Sequence, residues 1–173
     1  VVVSDAVLEK AIGRAVGEEL RRVREAKDWS RGDLVKRLPS GIGARTILSY
    51  EHGTRHLALL RFVEVCRAME VDPSHVLSLA LQRAKIHLDR LVLWVDLKAL
   101  VTDKTTKFVS MIIWAHNKLI EHPGGIVEIA PDGVRELATM ISATHEDLAG
   151  YLAGFTPDLS QIPEIDEGRM IVL

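Results

Sequence analysis

"WSRGDLVKRLPSGIGARTILSYEHGTRH", residues 29–56, holds two short helical phrases on either side of a Pro/Gly turn. Ser30 reads as an N-cap whose hydroxyl accepts from the backbone of Asp33, and Asp33 answers as the acid of a capping box. Trp29 and Leu34 stand at the spacing of a hydrophobic staple. This phrase stops near Leu38, because Pro39-Ser40-Gly41 follows. The second phrase runs from about Gly43 to His52, with Ile47 and Tyr50 inward at i, i+3 and Gly53 as the C′ residue. Arg45, Arg55 and His56 lie on both sides of that stop. Such groups at the two ends of one helix suit insertion into something anionic, although a plain surface helix with a glycine cap has the same letters.

The neighbours of this stretch are helical too. Upstream, Leu8, Ile12, Val16, Leu20 and Val23 recur at spacings of four and three over about residues 7–27, which makes one apolar stripe. Downstream, "LLRFVEVCRAME" (59–70) places Leu59, Val63, Cys66 and Met69 on one face. "VDPSHVLSLAL" (71–81) follows, with Asp72 as N-cap and Pro73 at the first helical position. Five short helices thus fill the first half with connections of a few residues. Two of them joined by a tight turn form a helix-turn-helix layout, in which the second helix enters the major groove of DNA.

Charge separates the halves. Residues 1–85 hold 15 Lys and Arg against 11 Asp and Glu, a balance of +4, while residues 86–173 hold 7 against 13, a balance of −6. One half is suited to an anionic partner and the other is not. The 173 residues suffice for one large or two small domains. No apolar run has the length of a membrane span, and no signal-peptide layout opens the chain. The one cysteine, Cys66, excludes an internal disulfide and fits a reducing cytoplasm.

The second half changes character. "LVLWV" (91–95) is β-prone, residues 105–120 are helical by period with Phe108, Ile112, Ala115 and Leu119 in line, and Pro123-Gly124-Gly125 breaks that helix. "IVEI" (126–129) reads as a strand, Pro131 opens a helix through Ile141, and Thr144–Asp147 reads as a capping box before a last helix ending near Gly154. Residues 156–173 are acidic, carry two prolines and read as an extended tail with an apolar end. The division is therefore 1–85, 86–155 and 156–173, the first mainly α and the second a small α+β domain. The border near 83–90 has no Gly/Ser/Pro linker.

At this point "GEELRRVREAKDWSRGDLVKRL", "RTILSYEHGTRH" and "LRFVEVCRAMEVDPSHVL" together resemble the Cro/cI-like (XRE) family of helix-turn-helix DNA-binding domains, over roughly residues 13–80. The resemblance implies a lambda repressor-like five-helix fold and double-stranded DNA as partner. It places Ala44, Arg45, Thr46 and Ser49 at base edges, with Arg45 best suited to a bidentate pair with guanine. It places Arg31, Thr54, Arg55 and His56 on the sugar-phosphate backbone. Glu51 is expected to be structural, bonding near the start of the second or fourth helix, and Tyr50 to be core. One departure is the "PSGIGA" turn, about two residues longer than the family's usual one.

The second half resembles the C-terminal domain of BldD-type regulators, through its strand, helix, strand, helix order and a D-L-x-x-L phrase. That family binds cyclic di-GMP through Arg-Gly-Asp and Arg-x-x-Asp segments. Here the matching places read Ile120-Glu121-His122 and Ala130-Pro131-Asp132-Gly133, without the arginines, so the nucleotide is not expected and no cofactor is implied. Catalysis has no motif: no P-loop, nucleophile elbow or dinucleotide fingerprint occurs, and the seven histidines are scattered without metal-site spacing. The expectation is a sequence-specific, cytoplasmic transcriptional regulator, more readily a repressor of host, phage or plasmid type, acting as a homodimer on a pseudo-palindrome. The rival is an antitoxin-like protein-binding module that carries a DNA-binding domain, with the acidic tail on its partner.

Overall fold

A stripe at helical period needs something to pack on, and the first helix, α1 (Asp5–Ala26), finds it over its C-terminal two thirds. Val16, Leu20 and Val23 are buried there, while Leu8 and Ile12, earlier on the stripe, are only half-buried. A computed structural model describes residues 4–105 and 107–163 of the chain. Within it, α1 is followed by α2 (Arg31–Val35), α3 (Ala44–Glu51), α4 (Leu59–Ala68) and α5 (Pro73–Arg83). Their core is mostly aliphatic, with Tyr50 and Phe62, and includes Leu34, Ile47, Val65, Met69, Val76 and Leu79.

Local signals set most of these ends. Ser30 Oγ accepts from the Asp33 amide at 3.1 Å and the Asp33 carboxylate accepts from the Ser30 amide at 3.0 Å, a complete capping box. Asp72 caps α5 by accepting from the Ser74 amide at 2.7 Å, with Pro73 as the first helical residue. Two expectations shift. The second helix stops at Val35 rather than near Leu38, because the amides of Arg37 and Leu38 turn back on Leu34 and Val35 three residues behind. On α4 the buried face is Phe62, Val65, Cys66 and Met69, and Leu59 is turned outward.

The chain divides between Ile86 and His87. The second unit contains β1 (Leu93–Asp96), α6 (Leu97–Leu100), α7 (Val109–Glu121), β2 (Ile126–Ile129), α8 (Pro131–Met140) and α9 (His145–Leu152). Its strands pair antiparallel, Leu93 opposite Ile129 and Asp96 opposite Ile126. Asp96 ends the strand and starts α6 in one step, its carboxylate accepting from the amides of Lys98 and Ala99. Leu93, Val95, Leu97, Leu100, Met111, Ile129, Val134, Leu148 and Leu152 make the core. Thus the architecture among the described residues is mainly helical, with one small antiparallel sheet.

Three expectations for this half change. Helix α7 begins at Val109 rather than 105, since Phe108 is non-helical at φ −123°. The capping box expected at Thr144–Asp147 is one-sided: Thr144 Oγ1 accepts from the Asp147 amide at 3.1 Å and caps α9, while the Asp147 carboxylate pairs with Lys107 at 3.5 Å. The expected tail is folded over its first part: a 3₁₀ turn at Leu159–Gln161 is closed by a capping box with Asp158, and Ile162 is buried. Residues 164–173, with the apolar end, lie outside the described residues.

Candidate nucleic-acid interface

Helix α3 has two unlike faces. Ile47, Tyr50 and Glu51 are buried, whereas Ala44 and Arg45 are exposed and Thr46, Leu48 and Ser49 are half-buried. All four residues expected at base edges therefore lie on or beside its outward face. Among the described residues the Arg45 guanidinium has no hydrogen-bond or ion-pair partner, which leaves its planar fork of donors open. Ser49 Oγ donates back to the Arg45 carbonyl at 3.1 Å, so its hydroxyl proton is occupied and its lone pairs remain for a donor. Leu48, one turn from Ala44, is the outward residue that sequence reasoning passed over. Its signal was the i, i+4 spacing, and an apolar side chain there suits a thymine methyl.

The inward face is fixed by a buried charge network. Glu51, 2% exposed, accepts from Arg24 Nε at 2.6 Å and Arg24 Nη2 at 3.1 Å. It also accepts from Arg31 Nε at 2.7 Å. Arg24 Nη1 reaches on to the Trp29 carbonyl at 2.7 Å. One carboxylate thus ties α1, α2 and α3 together, and its hydrogen bond raises the Arg24 pKa from its ordinary value. Taking charges out of water is costly, and a network of this kind holds only because its partners are all present. The structural role expected for Glu51 has this physical form. Arg31, expected on a phosphate, has its Nε committed to Glu51, while its terminal nitrogens have no partner among the described residues.

Backbone contact between α1 and α3 is equally tight. A Cβ on Gly17 would stand 2.1 Å from the Tyr50 carbonyl oxygen and 2.8 Å from that of Glu51. At the turn after α3, Gly53 has φ +62° and a Cβ there would stand 2.7 Å from Arg14 Cα. Only glycine allows either approach.

The longer turn between α2 and α3 has its own support. The Ser40 amide donates to Glu64 Oε1 at 3.0 Å, so α4 holds the loop that leads into α3. The Ser40 contact, with Arg61 beside it, holds the Glu64 carboxyl below the usual carboxylate range. At the entry to α2, the Arg37 guanidinium lies 3.9 Å from the Trp29 ring centroid, a cation–π stack.

Past α3 the chain folds back on itself. Thr54 Oγ1 and the amides of Thr54 and Arg55 all donate to the Ser49 carbonyl, at 3.2, 3.0 and 3.3 Å. The Thr54 hydroxyl thus closes the helix end before it meets anything else. Arg55 is exposed and, among the described residues, without a partner. His56 stands near Glu9 of α1, Nδ1 to Oε1 3.8 Å, both side chains well exposed. Among the described residues, the positive charge left uncompensated around α3 thus includes Arg45 at its head and Arg55 beyond its tail.

In the second unit, Glu121 is paired with Lys118 at 2.8 Å, and Asp132 is bonded to Arg135 one turn along α8. These are the places matched to the nucleotide-binding segments, and each acid is held by a helical neighbour. Among the described residues no group of three His, Cys, Asp or Glu side chains is arranged to hold a metal ion. No helix of the described residues is long and apolar enough to cross a membrane. No family model, curated protein or solved structure matches the chain.

Proposed function

We propose that α2 and α3 act as a helix-turn-helix and that the protein is a sequence-specific regulator of transcription that binds double-stranded DNA. Helix α3 enters the major groove. Arg45 reads a base edge with Thr46, Ser49, Ala44 and Leu48 around it, and Arg55 with the free nitrogens of Arg31 contacts flanking phosphates. His56 adds to this charge when protonated, and Thr54 positions the loop.

The observation that carries this reading is the contrast on one short helix. Its inner face is locked by Glu51, Arg24 and Arg31, and its outer face presents an arginine with no partner among the described residues. An exposed, partnerless arginine on a helix held from behind by three charged groups is suited to a groove that supplies acceptors. The balance of +4 on residues 1–85 supports the same assignment. Occupying an operator obstructs polymerase without any further surface, so repression is the simplest output. Two copies on a pseudo-palindrome give the usual two-fold reading.

The test is selection of binding sites from random duplex DNA with the full chain, then binding to the winner over a salt series. Enrichment of a defined motif, with affinity falling as salt rises, supports the proposal. Absence of enrichment overturns it.

A further inference from the structure

We propose that α7 carries a two-fold self-association surface, through which a second copy of this chain pairs with it antiparallel. Helix α7 buries one side against its own unit through Met111 and Ala115 and leaves an apolar line on the other. Val109, Ile113 and Ile120 are 49%, 59% and 81% exposed. With His116, also exposed, they follow the spacing 4, 3, 4, which is that of a helix-pairing seam.

The line is also symmetric end for end. About the helix midpoint, between Trp114 and Ala115, Val109 meets Ile120 of a second copy and Ile113 meets His116. An isologous interface needs this kind of self-complementarity, which a one-sided patch would lack. Charge agrees with a second copy as occupant. Residues 86–173 are acidic, with 7 Lys and Arg against 13 Asp and Glu, so two copies repel at most approaches. Along this seam the flanking residues are Ser110 and Asn117, and no like charges are brought together. The polar His116 at one seam position fixes register, at some expense in stability.

The pairing is weak on its own. A standard interface takes about 800 Å² from each partner, and a helix of 13 residues, about 20 Å long, supplies less. An operator with two half-sites would hold two copies together and strengthen each. Only that consequence rests on the DNA reading; the pairing itself is measured without DNA.

The experiment is disulfide trapping in the full chain. Cys66 is fully buried and does not compete. Mixing the V109C and I120C variants under mild oxidation should yield a covalent mixed dimer much faster than either variant alone. In sedimentation equilibrium, Ile113→Asp should raise the dimer dissociation constant about 100-fold, with the melting temperature held because the side chain is exposed. Faster trapping of V109C with itself, or a wild-type chain that stays monomeric at millimolar concentration, overturns the proposal. So does a monomeric full chain whose version ending at residue 163 dimerises, since the last ten residues would then be the occupant. A dimer that traps as described but binds no DNA leaves this inference standing and removes the proposed function.

Discussion

The two units are closed by different chemistry. The first buries ions: Glu51 with Arg24 and Arg31, and Glu19 with Arg83 at 3.1 Å between α1 and α5. The second is closed by aliphatic packing on two short strands. Its notable polar contact is at the rim, where the Tyr151 hydroxyl donates to Asp103 at 2.7 Å while its ring packs on Phe108 at 4.4 Å. Buried ion pairs seldom add net stability over apolar packing, and their best-attested use is to fix one arrangement among several. A surface that must match a rigid groove needs that fixity more than it needs stability. Among the described residues the second unit buries no charged side chain.

The largest expected effect tests this directly. Glu51→Ala leaves Arg24 buried without its carboxylate and should cost about 3–5 kcal/mol. The loss should appear in hydrogen exchange at α1, α2 and α3 amides, with the second unit unchanged. Leu148→Ala should do the converse, removing about 2–5 kcal/mol through a cavity among the second unit's helices. If Glu51→Ala exposes amides of both units equally, the contrast between them fails.

The next effect is on recognition. Arg45→Ala should weaken binding to the selected operator by roughly 1–3 kcal/mol and relax preference at one base position. Binding to single-base variants is the measurement. Uniform weakening across all of them would mean that the open face of α3 is not the reading face.

Arg55→Ala should be smaller and blunter. It should lower affinity for every sequence about equally and reduce the slope of log affinity against log salt by about one unit. A salt series on matched and mismatched duplexes separates it from Arg45→Ala.

The smallest effect lies at the edges of the pH range. The Tyr151 hydroxyl holds the Asp103 carboxyl below its ordinary value, so that contribution is present above the unfolded carboxylate pKa and is lost as pH falls through the folded one. Burial, with Asp103 beside it, raises the Tyr151 pKa, so stability is retained below about pH 10, the ordinary tyrosine value, and lost as pH rises beyond it. Tyr151→Phe should remove the alkaline slope and reduce the acidic one, which Thr105 also supports through its bond to Asp103. In the first unit, burial pushes the Cys66 thiol up to about 12, so its alkaline loss begins near the ordinary thiol value and runs through that figure. Thermal melts across pH should then show the first unit loosening at lower alkaline pH than the second.

What the chain disclosed in advance was what neighbouring residues decide. The capping box at Ser30 and Asp33, the Asp72-Pro73 start and the inward pair Ile47 and Tyr50 rest on residues three or four apart. Glu51 could be given a structural role, but not its main partner, because Arg24 lies 27 residues away and meets it only after α1 crosses α3. The bond to Arg31, 20 residues from Glu51, falls at the start of α2 where Glu51 is expected to bond, although Arg31 itself is expected on a phosphate. Helix α6 is too short to show a period and exists because Asp96 caps it. The ends of α1, α4, α5 and α8 carry no glycine: Asp28, Glu70, Lys85 and Ser142 take the left-handed turn instead, at φ from 55° to 58°. Leu59 was placed inward by a spacing that Phe62 and Val65 also satisfy.

The glycine contacts between α1 and α3 have a mechanical consequence. Both close approaches, Gly17 on the Tyr50 and Glu51 carbonyls and Gly53 on Arg14, bear on the C-terminal end of α3. The other end, with Ala44 and Arg45, hangs from the loop that Glu64 holds through the Ser40 amide. The helix is thus clamped at its tail and tethered at its head. Thermal motion should pivot it about the clamp, with the widest swing at Arg45. If α3 reads DNA as proposed, the angle at which its head meets a base would be trimmed from α4, through the carboxylate that holds the Ser40 amide.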